Sequence, residues 1–238
     1  MCSGRVDLAH VFRAFSKGAD GVFIGACHLN ECNYITHGNY HAVTMVSLAK
    51  RLLEHVGLSP ERLRLQHMSG AEANVFVESV NSFVKTVKEL GPLGESEGMG
   101  QNGLKSKIEE VTKLVPYFKI VNQDKLASRL QTPEEYDQLF TRDEIERLFS
   151  EVVSYYIDPD KCQACSTCLK RCPAEAISGG KNLVHIIDQD KCIKCGTCFE
   201  ACPPRFGSVR KISGEPVPPP VPEEKRAVVR KKAKPDAE

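Results

Sequence analysis

The sequence predicts an α/β region with an incomplete parallel sheet and crossover helices, followed by a helical linker region and a small α+β domain. Three observations support this prediction. Along residues 1–91, segments with the apolar spacing of a helix alternate with segments typical of a strand. Glycines are dense in residues 91–103. A cysteine-rich stretch near the C-terminal end occurs twice. We therefore expect domain boundaries at 1–91, 92–150, 151–212 and 213–238.

The first part is predicted to run helix, strand, helix, strand, helix. Apolar residues recur every three or four positions in VDLAHVFRAFSKG and NYHAVTMVSLAKRLLEHVG, and a glycine ends each segment as a helix cap would. The short apolar run GVFIGA predicts a strand buried on both faces, and the alternation in ERLRLQHM predicts a second strand. This order implies parallel strands joined by crossover helices.

A third helix is predicted after these strands. Ser69 and Glu72 match a capping box, which would open a helix reaching Leu90. Its predicted inward side chains are Phe76, Val80, Phe83 and Val87. Because two strands alone are too few for a stable sheet, we expect that a further strand belongs before Met1.

The middle and the end of the chain are predicted from different signals. The glycine-rich stretch predicts a flexible linker, and the residues after it predict helices. Thr132 and Glu135 match a capping box with Pro133 at the favoured first helical position, and a second box begins at Thr141. Prolines and mixed charges in residues 213–238 predict an extended and then disordered tail.

The composition argues against several classes of protein. The formal net charge is +1, so no global basic field favours nucleic acid as a partner. No apolar run approaches the roughly 18–20 residues that span a bilayer, and no signal segment is recognisable. We therefore expect a cytoplasmic protein without a membrane span. No catalytic residue is assigned, because neither a phosphate-binding loop nor a Ser/His/Asp arrangement is found.

The cysteines are the most unusual feature of the composition. Eight of the 11 fall between Cys162 and Cys202, in the segments DPDKCQACSTCLKRCP and DQDKCIKCGTCFEACP. The two segments match at an offset of 30 residues, and each has the spacing C-x2-C-x2-C-x3-C-P of bacterial ferredoxins with two 4Fe–4S clusters. Clustered cysteines without a secretion signal favour metal or redox ligands over disulfides.

This spacing predicts how the cysteines divide between two clusters. Three thiolates on a tight loop can bind three irons of one cluster, whereas the fourth points away toward the other cluster. One 4Fe–4S cluster is therefore expected on Cys162, Cys165, Cys168 and Cys202. The other is expected on Cys192, Cys195, Cys198 and Cys172. Zinc is the alternative, but zinc sites usually pair two C-x2-C elements, and each segment here has four cysteines.

The segments SYYIDP and LVHIID, which precede the two cysteine runs, predict short strands that cover the clusters. The expected cluster-packing residues are Ile157, Ile177, Ile186 and Ile187. The second run continues as CPPRFGSV instead of CPAEAI, so the two halves should differ in local packing but not in ligation.

Three further cysteines lie in the first part of the chain. Cys27 directly follows the predicted buried strand, and Cys32 comes shortly after it in GACHLNECNY. Ligand sites collect at the carboxyl ends of parallel strands. If a further strand precedes Cys2, that residue lies at the end of a neighbouring strand, so Cys2, Cys27 and Cys32 are candidate ligands of one metal site. Three cysteines cannot complete the four-thiolate shell of a 2Fe–2S cluster, so the candidate site is partial.

Residues 1–91 resemble the delta subunit of methyl-viologen-reducing nickel–iron hydrogenase, above all in MCSGRVD, KGADGVFIGACHLNECNY and SPERLRL. The resemblance implies a 2Fe–2S cluster on an α/β domain, with Cys2, Cys27 and Cys32 at ligand positions. It also implies an anaerobic oxidoreductase complex. There the chain would pass electrons between a hydrogenase or formate dehydrogenase module and a heterodisulfide reductase-like flavoprotein.

The same resemblance implies an opening strand, cysteine-rich turn, helix and second strand that precede the present Met1. We expect either a longer product, in which a selenocysteine codon in that turn is read as a stop, or a partner protein that supplies the missing half. The alternative function is an interaction module, in which only the ferredoxin clusters are redox-active and the α/β part docks partners. A self-contained flavin enzyme is less favoured.

Several polar residues near Cys27 and Cys32 have two interpretations. His28, His37 and His41 could join a mixed histidine and cysteine site, although histidines without a ligand role are the simpler interpretation. Arg5 and Asp7 could tune a cluster at this site, although a pair that stabilises the turn is simpler.

Overall fold

The computed structural model describes residues 2–34 and 38–228. The chain divides into two compact units, Met1–Phe149 (the first unit) and Ser150–Glu238 (the second unit). The disorder expected for residues 229–238, and the interpretation of His37, concern positions outside the described residues. Within the described ranges, no helix combines the length and the apolar character that crossing a membrane requires.

The first unit is organised around a two-stranded parallel sheet. Strand β1 (Val22–Ala26) pairs with β2 (Leu63–His67), as the crossover prediction requires. The helices around the sheet are α1 (Leu8–Ser16), α2 (Gly38–Val56) and α3 (Ala73–Leu90). Gly18 and Gly57 follow α1 and α2 with φ values of 89° and 91°, which is the left-handed conformation predicted for helix ends.

The prediction that β1 is buried on both faces is wrong. Ile24 and Ala26 are buried, but Gly25 is exposed and Phe23 is only half-buried. The second face of the sheet receives its cover from α3, where the ring of Phe83 lies 5.7 Å from that of Phe23. One ring contact leaves the rest of that face accessible to solvent.

The predicted capping box at the start of α3 forms only by half and does not mark the helix start. Glu72, the last residue of the predicted box, itself occupies the N-cap position. Its carboxylate accepts a hydrogen bond from the Ser69 N–H at 2.6 Å and lies 2.6 Å from Nε2 of His28. Because these two groups engage the carboxylate before the helix, α3 begins at Ala73 instead of directly after Ser69.

The inward face of α3 is smaller than the spacing predicts. Phe83 is buried and Val80 and Val87 are half-buried, as an inward face requires. Phe76 is 49% exposed, which corrects the prediction for that residue. The apolar side chains in the first turns of α3, Phe76 and Val77, therefore have little to pack against.

Four helices complete the first unit. They are α4 (Gln101–Val121), α5 (Gln123–Leu126), α6 (Pro133–Gln138) and α7 (Arg142–Ser150). The first three pack on α2, the first of them also on α1, and the fourth stacks the ring of Phe149 on His55 of α2. The capping box at α6 is confirmed, since Thr132 and Glu135 exchange hydrogen bonds at 3.3 and 3.0 Å. At α7 only the Thr141 half forms, because the Glu144 carboxylate instead pairs with Lys125 at 2.7 Å.

The glycine-rich stretch between α3 and α4 is held by a buried guanidinium. Arg62 is fully buried and donates to the carbonyls of Gly91 at 3.0 Å and Leu90 at 3.1 Å. It also pairs with Glu97 at 2.7 Å. These contacts tie the stretch to the start of β2, which differs from the free linker that its composition predicts.

The second unit is a mixed structure of small sheets and short helices. Its strands are β3 (Ser154–Ile157), β4 (Ile177–Gly180), β5 (Leu183–Ile187) and β6 (Val209–Ile212). β3 pairs with β6 and β4 pairs with β5, both antiparallel. Its helices are α8 (Thr167–Arg171) and α9 (Thr197–Ala201). The strands predicted from SYYIDP and LVHIID are therefore confirmed as β3 and β5.

Part of the predicted tail is ordered on this unit. Ala227 forms an antiparallel bridge with Leu183, and the Val184 N–H donates to the carbonyl of Arg226 at 2.7 Å. Val228 packs against the apolar core that contains the cysteines. Residues 226–228 thus extend the β5 edge, whereas the sequence predicts disorder by this point.

Candidate iron–sulfur centres

The sequence duplication in the second unit is also a duplication of backbone structure. We call residues 162–172 the first motif and residues 192–202 the second motif. The Cys162 N–H donates to the carbonyl of Asp158 at 3.0 Å. The Cys192 N–H makes the matching bond to Asp188 at 3.0 Å. Each motif therefore starts from the same aspartate-led turn.

Both motifs place residues in the left-handed conformation at matching positions. Ala164 and Ser166 have φ values of 52° and 61°, and Lys194 and Gly196 have φ values of 57° and 81°. Left-handed residues among right-handed neighbours turn successive N–H groups toward one side, and such nests surround many iron–sulfur sites. This backbone is costly for residues other than glycine, so its repetition in both motifs points to a shared ligand geometry.

The structure groups one cysteine of the first motif with three of the second. A single cavity in the second unit is lined by Cys172, Cys192, Cys195 and Cys198. Ile177 and Ile187 form part of its apolar wall, as predicted for cluster-packing residues. These four thiols are the set that the spacing of the two runs assigns to one cluster.

The pKa values of these thiols reflect their burial and their closeness to other cysteines. Burial raises the pKa of Cys198 to about 12, and the negative charges of the Cys192 and Cys195 thiolates add to the effect. Burial also raises the pKa of Cys192, with a contribution from the Cys172 thiolate. Metal ligands must be deprotonated, so cationic iron would supply the positive charge that these buried thiolates need.

The remaining cysteines are the four predicted for the other cluster. Cys162 and Cys168 are buried, whereas Cys165 is exposed. Burial raises the pKa of Cys168 to about 11, and the Cys162 and Cys165 thiolates contribute, so these three thiols are neighbours. Cys202 packs against the same apolar core, and its Sγ lies 3.2 Å from the hydroxyl of Ser208.

The predicted cluster-packing isoleucines need one correction. Ile157, Ile177 and Ile187 are buried in the apolar core with the cysteines. Ile186 is only half-buried, whereas Val184 and Ile187 on the same strand are buried and contact the core.

The arrangement of donors fits clusters better than single metal ions. Among residues 2–34 and 38–228, no group of three or more His, Cys, Asp or Glu side chains is arranged to hold one metal ion. Zinc draws four ligands to one centre at about 2.3 Å for sulfur, whereas a 4Fe–4S cluster spreads its four thiolates around an iron–sulfur cage. The four thiols that line one cavity in the apolar core therefore fit a cluster.

His185 is a polar residue of this core that the sequence analysis missed. It is fully buried on β5, and its Nδ1 lies 3.9 Å from Sγ of Cys162. Its Nε2 is buried without a hydrogen-bond partner in the described part of the chain, and burial lowers the pKa of the imidazole. The sequence feature that could have identified it is a single histidine within the otherwise apolar segment LVHII.

In the first unit, Cys2, Cys27 and Cys32 converge at the carboxyl end of β1. Sγ of Cys2 lies 3.5 Å from Sγ of Cys32. Burial raises the pKa of Cys27, and contacts with the thiols of Cys32 and Cys2 raise it further. The three thiols are thus neighbours, but within the described residues they do not by themselves form a group that could hold a metal ion.

Local structure positions these thiols. Cys32 lies beside the first residue of α2, where a Cβ on Gly38 would come within 2.2 Å of its Sγ. The backbone N–H groups of Tyr34 and Asn39 lower the pKa of Cys32. Asn39 also fixes the loop after β1, since its Nδ2 donates to the carbonyl of Cys27 at 2.9 Å.

The other polar candidates of the first unit take structural positions. His28 pairs with Glu72, as described for the start of α3. His41 lies on α2 and lines a cavity of the first unit together with Arg5. Asp7 caps α1 by accepting the Ala9 N–H at 2.9 Å and forms an ion pair with Lys119. Asp7 therefore pairs with α4, not with Arg5 as the simpler sequence interpretation implies.

Comparison with known proteins agrees with this architecture. Residues 1–91 match the family model of the methyl-viologen-reducing hydrogenase delta subunit, and residues 154–203 match that of a 4Fe–4S dicluster domain. The iron–sulfur D subunit of the F420-non-reducing hydrogenase of Archaeoglobus profundus is 44% identical over 91 residues, which is 38% of this chain and 66% of that protein.

Two further relatives define the range of similarity. The iron–sulfur D subunit of the F420-non-reducing vhu hydrogenase of Methanopyrus kandleri is 44% identical over 92 residues, which is 39% of this chain and 69% of that protein. The A subunit of the ferredoxin/F420H2-dependent CoB–CoM heterodisulfide reductase of Methanosarcina acetivorans is 40% identical over 113 residues, which is 48% of this chain. The match spans only 14% of that longer protein.

The two units thus define an iron–sulfur protein with a hydrogenase-subunit-like α/β unit and a dicluster unit. The chain belongs to the methyl-viologen-reducing hydrogenase delta subunit family, and its second unit carries a 4Fe–4S dicluster domain.

Proposed function

We propose that this chain is an electron-transfer subunit of an oxidoreductase complex, with two 4Fe–4S clusters held by the crossed sets of cysteines. The supporting observation is the cavity that Cys172 of the first motif shares with Cys192, Cys195 and Cys198 of the second. When bound, the clusters supply one-electron redox chemistry. The chain's own part is to bind them through thiolates, exclude water with its apolar core, and direct backbone N–H groups toward them.

We propose that the partners are a hydrogenase or formate dehydrogenase module on one side and a heterodisulfide reductase-like flavoprotein on the other. The names of the relatives support this proposal, because they are hydrogenase iron–sulfur subunits and heterodisulfide reductase A subunits. An anaerobic, cytoplasmic setting is part of the same proposal. Cys165, the exposed thiol of the first motif, offers a partner access to a ligand of one cluster.

The thiols of Cys2, Cys27 and Cys32 are proposed as part of a 2Fe–2S site. Their convergence at the end of β1 supports this, and a fourth thiolate from outside the present sequence would complete the shell. The alternative, in which the α/β unit only docks partners, makes a different prediction. Cys27→Ser or Cys32→Ser then leaves electron transfer through the reconstituted complex unchanged, whereas the proposed site requires that it fall.

Paired cysteine substitutions test the crossed arrangement. Cys172→Ser combined with Cys192→Ser should remove one cluster, or about four irons per chain, because both residues bind the same cluster. Cys172→Ser combined with Cys162→Ser should remove both clusters, or about eight irons. The measurement is iron and sulfide analysis after anaerobic reconstitution of the full chain.

The reverse pattern would contradict the crossed arrangement. If the Cys172/Cys162 pair lost about four irons and the Cys172/Cys192 pair about eight, each motif would bind its own cluster. The two double variants are matched controls for each other, since both remove two cysteines and one of them is shared.

A further inference from the structure

His185 reaches the cysteine core through an irregularity in the β4–β5 ladder. The ladder pairs Ser178 with Ile186 and then Gly180 with Leu183, so the register shifts between Ser178 and Gly180. Bulges of this kind redirect a side chain and are frequent next to functional sites. Here the shift leaves Gly179 facing the His185 side chain.

Gly179 leaves the space that the imidazole occupies. A Cβ at position 179 would lie 2.1 Å from Cδ2 of His185, which is too close for any real side chain. A Cβ on the neighbouring Gly180 would come no nearer than 3.4 Å to Leu183. Gly179 therefore provides the space for the imidazole ring. The ring is directed at the Cys162 thiol rather than at solvent.

The nitrogen beside Cys162 can only donate once a cluster is present. A metal-bound cysteine is a thiolate with no proton of its own, so a hydrogen bond between it and the imidazole uses the proton on Nδ1. The 3.9 Å separation of Nδ1 and Sγ lies within reach of such a bond to sulfur. Hydrogen bonds to cluster sulfurs are one of the factors that set reduction potentials, because they stabilise the more negative reduced state.

We propose that His185 is a positioning residue that donates a hydrogen bond from Nδ1 to the Cys162 thiolate and thereby raises the reduction potential of that cluster. The proposal rests on the proposed function, since it needs Cys162 to be a cluster ligand. It assigns His185 a role that an apolar residue at this position could not perform.

The duplicated halves make the two clusters unequal. Tyr155 occupies the position 30 residues before His185, on β3, and is likewise buried. It faces the second motif, where a Cβ on Gly196 would lie 2.9 Å from its hydroxyl oxygen. Equivalent positions thus present an imidazole to the first motif and a phenol to the second, so their clusters have different potentials.

The test is a redox titration of the anaerobically reconstituted full chain, followed by EPR. His185→Leu should shift one midpoint potential to more negative values, and the shifted signal should be the one that Cys162→Ser abolishes. His185→Asn, which keeps an N–H near the Nδ1 position, should restore most of the difference. Full iron content with both potentials at their wild-type values in His185→Leu would overturn the proposal.

Gly179→Ala provides a second variant that leaves His185 itself in place. The added Cβ displaces the ring, so this variant should shift the same midpoint potential in the same direction. Gly180→Ala is the matched control and should leave both potentials where they are. Equal behaviour of the two alanine variants would count against the proposal.

A measurement without substitutions keeps the proposal testable if these variants fail to fold. His185 is the only histidine of residues 150–238, so histidine labelled with nitrogen-15 places a single reporter in the second unit. Pulsed EPR of the reduced chain should detect nitrogen-15 coupling in one 4Fe–4S signal. Two such signals without that coupling would overturn the role of His185, whereas no 4Fe–4S signal at all would overturn the proposed function.

Discussion

The buried ion pair between Arg62 and Glu97 shows how much single residues determine in the first unit. The Arg62 guanidinium is fully buried, and the Glu97 side chain is 10% exposed. Burial alone would raise the pKa of Glu97, but hydrogen bonds from Arg62, the Ser59 N–H and Ser96 outweigh it and hold the pKa at about 2. The pair fastens the glycine-rich stretch beside the sheet.

Replacing Arg62 with methionine should therefore destabilise the first unit. The substitution leaves Glu97 without its cation and removes the donors to the carbonyls of Leu90 and Gly91, and breaking a buried pair in this way costs about 3–5 kcal/mol. Native-state hydrogen exchange of residues 1–149 measures the loss. Lys85→Met is the control, because the Lys85–Glu89 pair is exposed and its removal should leave the exchange rates unchanged.

The same pair gives the first unit a defined acid response. Glu97 has a folded-state pKa of about 2, below its ordinary value of 4.5, so its ionised form stabilises the fold. This contribution is complete above pH 4.5 and is lost as the pH falls toward 2. Exchange protection of residues 92–99 should fall over that interval, and in Glu97→Gln it should be low already at neutral pH. Protection in that variant equal to the wild type would contradict this interpretation.

Buried polar residues whose partners are distant in the sequence limit what a sequence alone can predict. The cysteine spacing is local, so the sequence alone predicts two cluster-binding motifs and a crossed grouping of their thiols. Arg62 and His185 depend on segments that meet only in the folded chain, namely the glycine-rich stretch for one and the irregular pairing of β4 with β5 for the other. Neither residue has a local signal that specifies its partner.

At the scale of elements, α3 shows the difference between periodicity and packing. Its apolar spacing predicted a helix correctly, but Phe83 is its one fully packed apolar residue among those described. Phe83 contacts the ring of Phe23 and the Arg64 guanidinium, whose Cζ lies 5.3 Å from the ring centroid. Phe76 is 49% exposed on the same helix.

Two alanine substitutions on α3 should therefore differ sharply. Phe83→Ala removes a buried ring and should lower the free energy of unfolding by about 3–5 kcal/mol. Phe76→Ala removes an exposed ring and should change it by less than about 0.5 kcal/mol. Denaturant unfolding followed by circular dichroism compares the two. Equal losses would mean that Phe76 is packed in the native protein.

The helix starts also show where a local sequence motif is not sufficient to predict structure. The Thr132 capping box formed as predicted because both partners are free to bond locally. At Ser69 only the glutamate half forms, since Glu72 accepts the Ser69 N–H but also binds His28, and the helix begins later. At Thr141 only the threonine half forms, because Glu144 pairs with Lys125. A capping motif predicts a helix start only when no tertiary partner competes for its side chains.

At the scale of the whole molecule, the chain combines a hydrogenase delta-subunit-like α/β unit with a 4Fe–4S dicluster domain. The family of the first unit and the dicluster domain of the second were both recognisable in the sequence, since each depends on a short stretch of distinctive residues. The packing of α4 to α7 on the α/β core was not predictable, because their sequences show helices but not what they pack against. A proposed electron-transfer role places the substrate chemistry in partner proteins.

Iron and sulfide analysis with EPR on the anaerobically purified full chain tests the central claim most directly. Two 4Fe–4S clusters require about eight irons and eight sulfides per chain, with two 4Fe–4S signals on reduction, and about ten irons if the site of Cys2, Cys27 and Cys32 also assembles. Fewer than about four irons per chain, or stoichiometric zinc in their place, would contradict the account.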